Sequence, residues 1–444
     1  MIQCLRIRFS WLMAFFMMGA FAWPQTDHGN IAPTSESPSS AHHPTIADPT
    51  PPLEDFIREA LANNPDLAAL QQRILAARER ISPEGALPDP MVEFMVQDIG
   101  FPDYTIGDEE MSMAGVQIKQ GLLYPGKLKS RKAAAEAEAR IPVAQWLDAK
   151  NNLILQMRVA YAQLYALDYE QKSLAMGKEL LEMLSATVAS RYSAGTAEQE
   201  AVIKIQLQLS RIKEREIDLA AERKTVSAYI NRLRDRRDDP MLPEIAILPE
   251  PPVAAFDSPD IALKSAPNIH IRQAELEAAK RKLEVARSEL NPNFTVGIGA
   301  FSRGGFDEVV TFQVDVEFPL WKKWKQSPSL RAAERDLQQA EWELRGAEAM
   351  IRSEIVRLRA EWNKSQEQIL LYREGILLQT SAALDAARAS YLTGGGDFST
   401  VVEDFNMWLD ARMELARREA ERFKTWAELD ALLSQSQENG ESNS

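Results

Sequence analysis

The feature that most limits the fold of this 444-residue chain is a repeat, because most of the sequence is written twice at an offset of about 200 residues. Four landmarks recur in the same order in both copies. They are a five-residue segment with proline at its last position, which begins a helical pattern (61–65 and 263–267), and a proline before alternating apolar and polar residues (Pro90 and Pro292). The other two are an Arg/Ala stretch (131–134 and 331–333) and a Tyr-x-x-Gly turn (192–195 and 391–394). Ordered matches at nearly constant spacing indicate a tandem duplication. We assign repeat 1 to residues 53–239, a Pro-rich linker to 240–259 and repeat 2 to 260–433.

Each repeat carries a helical pattern that is too long for a globular core. Residues 128–191 place apolar side chains at three- and four-residue steps, which is the stripe of an amphipathic helix. At 1.5 Å per residue this element would be about 95 Å long, and periodic helices beyond about 25 residues are typical of coiled coils. A returning partner completes the pair in residues 128–236, and repeat 2 has the same pair in residues 329–433. The sequence therefore predicts two pairs of long antiparallel helices.

The N-terminus has the pattern of a secretory signal peptide, which we assign to residues 1–22. Arg6 and Arg8 precede a short apolar run that ends in Ala-Phe-Ala, a small-x-small cleavage pattern. A retained membrane anchor is the less favoured alternative, because the run is short. The sole cysteine, Cys4, lies in this segment, so the mature chain would hold neither disulfides nor thiolate metal sites. Residues 23–52, rich in Pro, Ser and His, are expected to be a disordered leader, and residues 434–444 a polar tail.

A predicted β-hairpin precedes each helix pair, in residues 91–120 and 293–318. The pattern is clearest in the fourth strand, where apolar residues alternate with polar ones: Val310, Phe312, Val314, Val316 and Phe318 with Thr311, Gln313, Asp315 and Glu317. One apolar and one polar face fit the lipid and lumen sides of a membrane barrel, although a half-buried soluble sheet alternates in the same way. The uniformly polar second face and the secretion signal favour the membrane.

Four strands cannot close a barrel, and an open sheet edge is not tolerated in lipid. The smallest membrane barrels have about eight strands, so the subunit would have to share a barrel with copies of itself. Three copies would supply twelve strands. The predicted fold class is therefore mainly α with a membrane β part: tandem-repeat helical coiled-coil hairpins plus four strands contributed to a shared twelve-stranded trimeric barrel.

Charge and motif content argue against several functional classes. The formal net charge of -14 argues against nucleic acid, whose binding depends on Lys and Arg that neutralise phosphates. The chain has no Gly-x-Ser-x-Gly, His-Glu-x-x-His or phosphate-loop pattern. We therefore expect no enzyme activity, cofactor or metal site. His28, His42 and His43 of the leader have no fixed geometry, which favours a solvated tail over a metal site.

The arrangement resembles the TolC family of outer-membrane efflux proteins over residues 53–433. The resemblance is carried by Asn64-Pro65, Leu87-Pro-Asp-Pro90, Tyr124-Pro-Gly-Lys127 and the two Tyr-x-x-Gly turns. It implies a homotrimer in the outer membrane, with a barrel of twelve strands and a periplasmic tunnel of twelve helices. It also implies three kinds of partner: a periplasmic adaptor (membrane fusion) protein, an inner-membrane pump with the RND type as a candidate, and outer-membrane lipid.

In that family the turns of the helix pairs form the periplasmic mouth and meet the adaptor. The resemblance places Arg191, Tyr192 and Gly195 at this mouth in repeat 1, and Tyr391 and Gly394 in repeat 2. Independently, a tight reversal between helices requires a residue that accepts positive φ, which glycine supplies. The glycines are therefore expected at the turns even if no partner docks there.

Mouths of the TolC family often carry inward acidic residues at a Gly-x5-Asp-x2-Asp spacing. Counted from Gly394, this chain has Thr400 at the first acidic position and Glu403 at the second, with Asp404 beside it and Asp397 earlier. Thr400 carries no charge, so only the second acidic position of the pattern is filled. Glu403 would form one carboxylate ring in a trimer and concentrate cations; an ordinary solvated helix face is the alternative.

The expected function is passive export through a duct in a tripartite efflux pump. The Leu-Pro-Asp-Pro and Tyr-Pro-Gly-Lys segments are similar to those of members that partner heavy-metal cation pumps, so metal cations are one expected cargo; drugs are a second, and protein secretion stays open. A periplasmic adaptor or a coiled-coil scaffold is the alternative function. An adaptor would have one helical hairpin beside a compact β domain, and a scaffold gives the four strands no role.

Overall fold

A computed structural model describes residues 53–100, 102, 105–238, 241–251 and 265–433 of the chain. The predicted signal peptide, leader and polar tail lie outside the described residues, as does the second half of the predicted linker. Within the described ranges the chain is mainly helical with one four-stranded sheet, which confirms the predicted class.

Both repeats run from a helical segment through a β-hairpin to a pair of long helices. Repeat 1 contains α1 (Leu53–Asn63), α2 (Pro65–Glu79), α3 (Ile81–Glu84), β1 (Met91–Gln97), β2 (Met113–Leu122), α4 (Lys127–Glu138), α5 (Arg140–Ser193) and α6 (Gln199–Leu233). Repeat 2 contains α7 (Pro267–Ser288), β3 (Asn293–Arg303), β4 (Phe306–Glu317), α8 (Gln326–Leu371), a π-helical turn (Tyr372–Ile376), α9 (Leu377–Thr393) and α10 (Phe398–Leu433). The 54 residues of α5 extend over about 80 Å.

The Asn64-Pro65 motif begins α2 and joins it to the end of the long helix pair. Asn64 Oδ1 accepts the backbone N–H groups of Asp66 at 3.0 Å and Leu67 at 3.2 Å, which caps the helix. The Asn64 side-chain amide donates to the carbonyl of Leu233 at 3.1 Å, the last residue of α6. One buried side chain therefore satisfies groups at two helix ends.

Both long helices depart from regular α geometry at one place, and neither departure was predicted. In repeat 1 the helix is interrupted at Ala139. Pro142 has no N–H to donate to the carbonyl of Glu138 and its ring crowds that carbonyl, so α4 ends and α5 begins there. In repeat 2 the π-helical turn separates α8 from α9 and shifts the register of the apolar stripe beyond it.

The sheet has the strand order β1-β2-β3-β4, and every neighbouring pair is antiparallel. The hairpins of the two repeats therefore pair with each other through β2 and β3, while β1 and β4 are the free edges. Val92, Ile118, Ile298 and Phe312 face one another across the four strands in one apolar row. All four side chains are exposed, so the apolar face of the sheet is uncovered in the single chain.

Helix α5 lies at the centre of the core, between α6 of its own repeat and α10 of the other. Its fully buried side chains include Met157 and Leu164, which belong to the same cluster as Phe405 and Phe423 of α10. Gly177 of α5 allows close approach of α10, because a Cβ at this position would lie 3.1 Å from the Phe405 ring. The repeats thus share one core.

No helix in the described part of the chain is both long enough and apolar enough to cross a membrane.

Candidate functional site at the helix-pair turns

The turn between α5 and α6 is a helix C-terminal motif built on Gly195. Gly195 has φ +71°, and its N–H donates to the Tyr192 carbonyl at 3.0 Å. The Thr196 N–H donates to the Arg191 carbonyl at 2.8 Å. These two bonds define a Schellman motif, which satisfies the carbonyls left free at the helix end.

The turn between α9 and α10 repeats the motif one repeat later. Gly394 has φ +82°, its N–H donates to the Tyr391 carbonyl at 3.2 Å, and the Gly395 N–H donates to the Ser390 carbonyl at 3.0 Å. Glycine is required at both left-handed positions for the same steric reason. The two turns predicted from the Tyr-x-x-Gly pattern therefore have the same backbone geometry.

Arg191 joins the two turns. Its guanidinium donates to the carbonyls of Tyr391 and Leu392, the latter at 3.1 Å, and lies 4.9 Å from the centre of the Tyr391 ring. The Tyr391 ring packs edge-on against Phe398, the first residue of α10, with ring centres 5.2 Å apart. The predicted residues Arg191, Gly394 and Tyr391 are therefore brought together, although about 200 positions separate them in the sequence.

The two tyrosines of the motif have different surroundings. Tyr391 is 7% exposed and packs between Arg191 and Phe398, whereas Tyr192 is 47% exposed. The buried tyrosine therefore organises the turns, and the exposed one is available for contact with another molecule.

Asp397 immediately precedes the final helix. Its carboxylate accepts the N–H of Ser399 at 3.1 Å. That hydrogen bond, with the positive charge of Lys204 nearby, holds the pKa of Asp397 below its ordinary value. The Lys204 ammonium lies 2.5 Å from Glu200 and also donates to the Ser399 hydroxyl, so α6 and α10 are joined next to the turns. This contact could not be predicted from the sequence, since neither Lys204 nor Ser399 belongs to a motif.

The other acidic candidates are farther from the turns. Glu403 is exposed one turn into α10, on the same face as the exposed Thr400, and Asp404 beside it is half-buried. Within the part of the chain that the structure describes, neither carboxylate is involved in an ion pair. Glu403 is therefore free to act on solvent ions, and Asp397 is used as a helix cap.

Two buried acids on α5, absent from the sequence prediction, join this helix to neighbouring elements away from the turns. Glu170 accepts from Arg215 of α6 at 2.7 Å and from Arg417 of α10 at 3.3 Å. Asp168 accepts from Arg223 at 2.6 Å and from the N–H of Ile245 in the linker at 2.8 Å. Both residues could have been found in the sequence as acids inside the apolar stripe of a long helix, because a buried charge requires a partner.

The duplicated helical hairpins with an interlocked sheet define the class of an outer-membrane channel subunit. Residues 56–233 and 258–435 match the outer membrane efflux protein family. The chain belongs to this family. The predicted family, efflux-channel role and outer-membrane location are thereby confirmed.

Solved structures share the fold at low sequence identity. The outer-membrane channel OprN is 18% identical with a TM-score of 0.74, and the match covers 87% of this chain and 90% of OprN. VceC from Vibrio cholerae is 17% identical with a TM-score of 0.74, covering 86% and 96%. CusC is 17% identical with a TM-score of 0.73, covering 86% and 92%. No curated protein sequence matches the chain significantly.

Proposed function

We propose that three copies of this chain form a passive duct that crosses the outer membrane and the periplasm. The observation that carries the proposal is the sheet: its apolar face is exposed and both β1 and β4 are open edges. In lipid, open edges have to be paired. Pairing β4 of one subunit with β1 of the next would close twelve strands and turn the apolar row outward. The domain division proposed above, with repeats at 53–239 and 260–433, gives each subunit two helix pairs for the tunnel.

The test is cell fractionation followed by mass measurement of the purified protein in detergent. The expected result is an outer-membrane species with three times the subunit mass that conducts ions in a planar bilayer. A soluble monomer would overturn the proposal.

We further propose that the turns built on Gly195 and Gly394 form the periplasmic mouth and dock a periplasmic adaptor coupled to an inner-membrane pump, with the RND type as a candidate. The Arg191 contact between the turns supports a rigid docking surface. The exposed ring of Tyr192 supplies an aromatic side chain that a partner could contact. A photo-crosslinking residue at Tyr192 should capture a protein that mass spectrometry identifies as an adaptor. The same residue at exposed Ile217, about five turns along α6, is the control and should not capture an adaptor.

The proposed cargo is heavy-metal cations, with drugs as the competing class. Exposed Glu403 supports cations, because three carboxylates around one mouth attract positive ions. Growth of a deletion strain on copper, on zinc and on common antibiotics separates the two classes. Sensitivity to antibiotics alone would overturn the metal assignment and leave the duct in place.

A further inference from the structure

The segment that links β4 to α8, residues 318–325, combines exposed aromatic rings with lysines. Trp321 is 71% exposed and Trp324 74% exposed, and Leu320 is more exposed still. The N–H groups of Trp324 and Lys325 both donate to the Trp321 carbonyl at 2.9 Å, so the segment is an ordered turn. Lys322, Lys323 and Lys325 lie between and beside the rings.

These lysines are available for binding. All three are exposed, and none forms an ion pair with a carboxylate of the described residues. The equivalent junction in repeat 1, after β2, is built differently. Its Lys127 is 1% exposed and donates to Glu289, to the Asn291 carbonyl and to the Asn293 side chain. At this junction the lysine of repeat 1 is therefore buried and bonded within the chain, whereas the lysines of repeat 2 are exposed to solvent.

The exposed rings follow the exposed apolar residues of β4 in the sequence. Val314 and Val316 are exposed on the same side of β4, which ends at Glu317, and exposed Phe318 and Trp321 come one and four residues later. Tryptophan and lysine concentrate where an apolar membrane surface meets water, because the ring spans both environments and the ammonium reaches the phosphates.

We propose that residues 318–325 of each subunit are a membrane-interface anchor whose three lysines bind the phosphate groups of anionic phospholipids. The inference rests on the proposed function, since it needs the sheet to lie in a membrane. The long helix that follows is periplasmic in that arrangement, so the anchor contacts the periplasmic leaflet. Each lysine near an anionic surface strengthens binding about fivefold.

The rings are tested by fluorescence quenching with lipids brominated near the headgroup end of the acyl chains. Quenching of the channel reconstituted in these lipids should fall strongly in Trp321→Phe/Trp324→Phe. The control is Trp342→Phe, which removes a 67% exposed ring on α8 farther from the sheet and should not lower the quenched fraction. Unchanged quenching in the double variant would overturn the anchor, because the two rings would then lie away from the lipid.

The lysines are tested by native mass spectrometry of the trimer with phosphatidylglycerol and with phosphatidylcholine. Lys322→Gln/Lys323→Gln/Lys325→Gln should weaken the preference for phosphatidylglycerol by about a hundredfold, since each lysine contributes about fivefold. The control changes three exposed lysines on the long helices, Lys213, Lys224 and Lys364, to glutamine and should retain it. Equal retention in both triple variants would overturn the headgroup assignment. Ion conductance distinguishes failure of the anchor from failure of the proposed duct. A conducting trimer that shows no preference for phosphatidylglycerol refutes only the anchor. A chain that never conducts refutes the duct.

Discussion

Lys127 and Glu289 join the two repeats at the place where the sheet meets the helices. The ammonium of Lys127 lies 3.2 Å from the carboxylate of Glu289, which also accepts from Arg131 at 2.7 Å. Lys127 follows β2 and Glu289 precedes β3, the two strands through which the hairpins pair. Burial alone would raise the pKa of Glu289, but the hydrogen bonds from Arg131 and Lys127 outweigh it and lower that pKa.

The first prediction concerns this contact. Glu289→Gln leaves the buried ammonium of Lys127 without its counter-charge and should destabilise the protein by about 1–3 kcal/mol, because an unpaired buried charge keeps its desolvation cost. The measurement is the urea midpoint of the purified protein in detergent. Glu138→Gln is the control, since its ion pair with Lys282 is about half exposed on both sides and should be worth little. Equal midpoints for the two variants would contradict the prediction.

The second prediction concerns acid stability. Glu59 on α1 accepts from Arg234 and Arg236; burial would raise its pKa, but these hydrogen bonds bring the pKa below the ordinary 4.5. The stability it contributes is therefore complete above pH 4.5 and is lost as pH falls through the lowered pKa. Glu59→Gln should be less stable than the wild type at pH 7, and the difference should shrink as the pH falls below 4.5 and through the lowered pKa of Glu59. Urea midpoints at several pH values provide the measurement. Glu54→Gln, an exposed acid on the same helix, should show no such convergence.

Local patterns predicted the elements, whereas contacts between the repeats were not predictable. Period-two alternation placed β4 because its apolar face is unbroken from Val310 to Val316, and three- and four-residue steps placed the long helices. Pro142 causes the interruption of the helix at Ala139. The interruption was not predicted because the apolar stripe of a helix is present on both sides of it. The π-helical turn has no local marker comparable to that proline.

The candidate site was predictable in its backbone and not in its side-chain contacts. Positive φ at Gly195 and Gly394 follows from the need to reverse a helix, so the turns could be located. The contact of Arg191 with Tyr391 depends on how two coiled-coil ends pack, and residues about 200 positions apart carry no shared local pattern. The burial of Lys127 was missed for the same reason: its partner belongs to the other repeat.

The third prediction concerns the contact between the turns. Arg191→Ala removes the hydrogen bonds to the Tyr391 and Leu392 carbonyls and the cation–π contact, so the two helix-pair ends should separate more often. The expected result is larger and noisier single-channel conductance in planar bilayers. Arg191→Lys should behave in the same way, because an ammonium cannot reproduce the planar fork of a guanidinium. Arg211→Ala, an exposed arginine on α6, is the matched control. Unaltered conductance in both Arg191 variants would show that the turns are held by other contacts.

The last prediction concerns Glu403. In a trimer its exposed carboxylate occurs three times around the proposed mouth, and such a ring raises the local cation concentration. Glu403→Gln should lower the cation-to-anion permeability ratio, measured as a reversal potential in a salt gradient, and the effect should weaken at high salt because exposed charges are screened within about 10 Å at 0.1 M. Asp397→Asn should change the ratio less, since that carboxylate is engaged by the Ser399 N–H and by Lys204. Glu182→Gln, an exposed acid on α5 of repeat 1, tests whether any lost charge has this effect. A ratio equally altered in all three variants would attribute selectivity to net charge and leave Glu403 as a solvated helix residue.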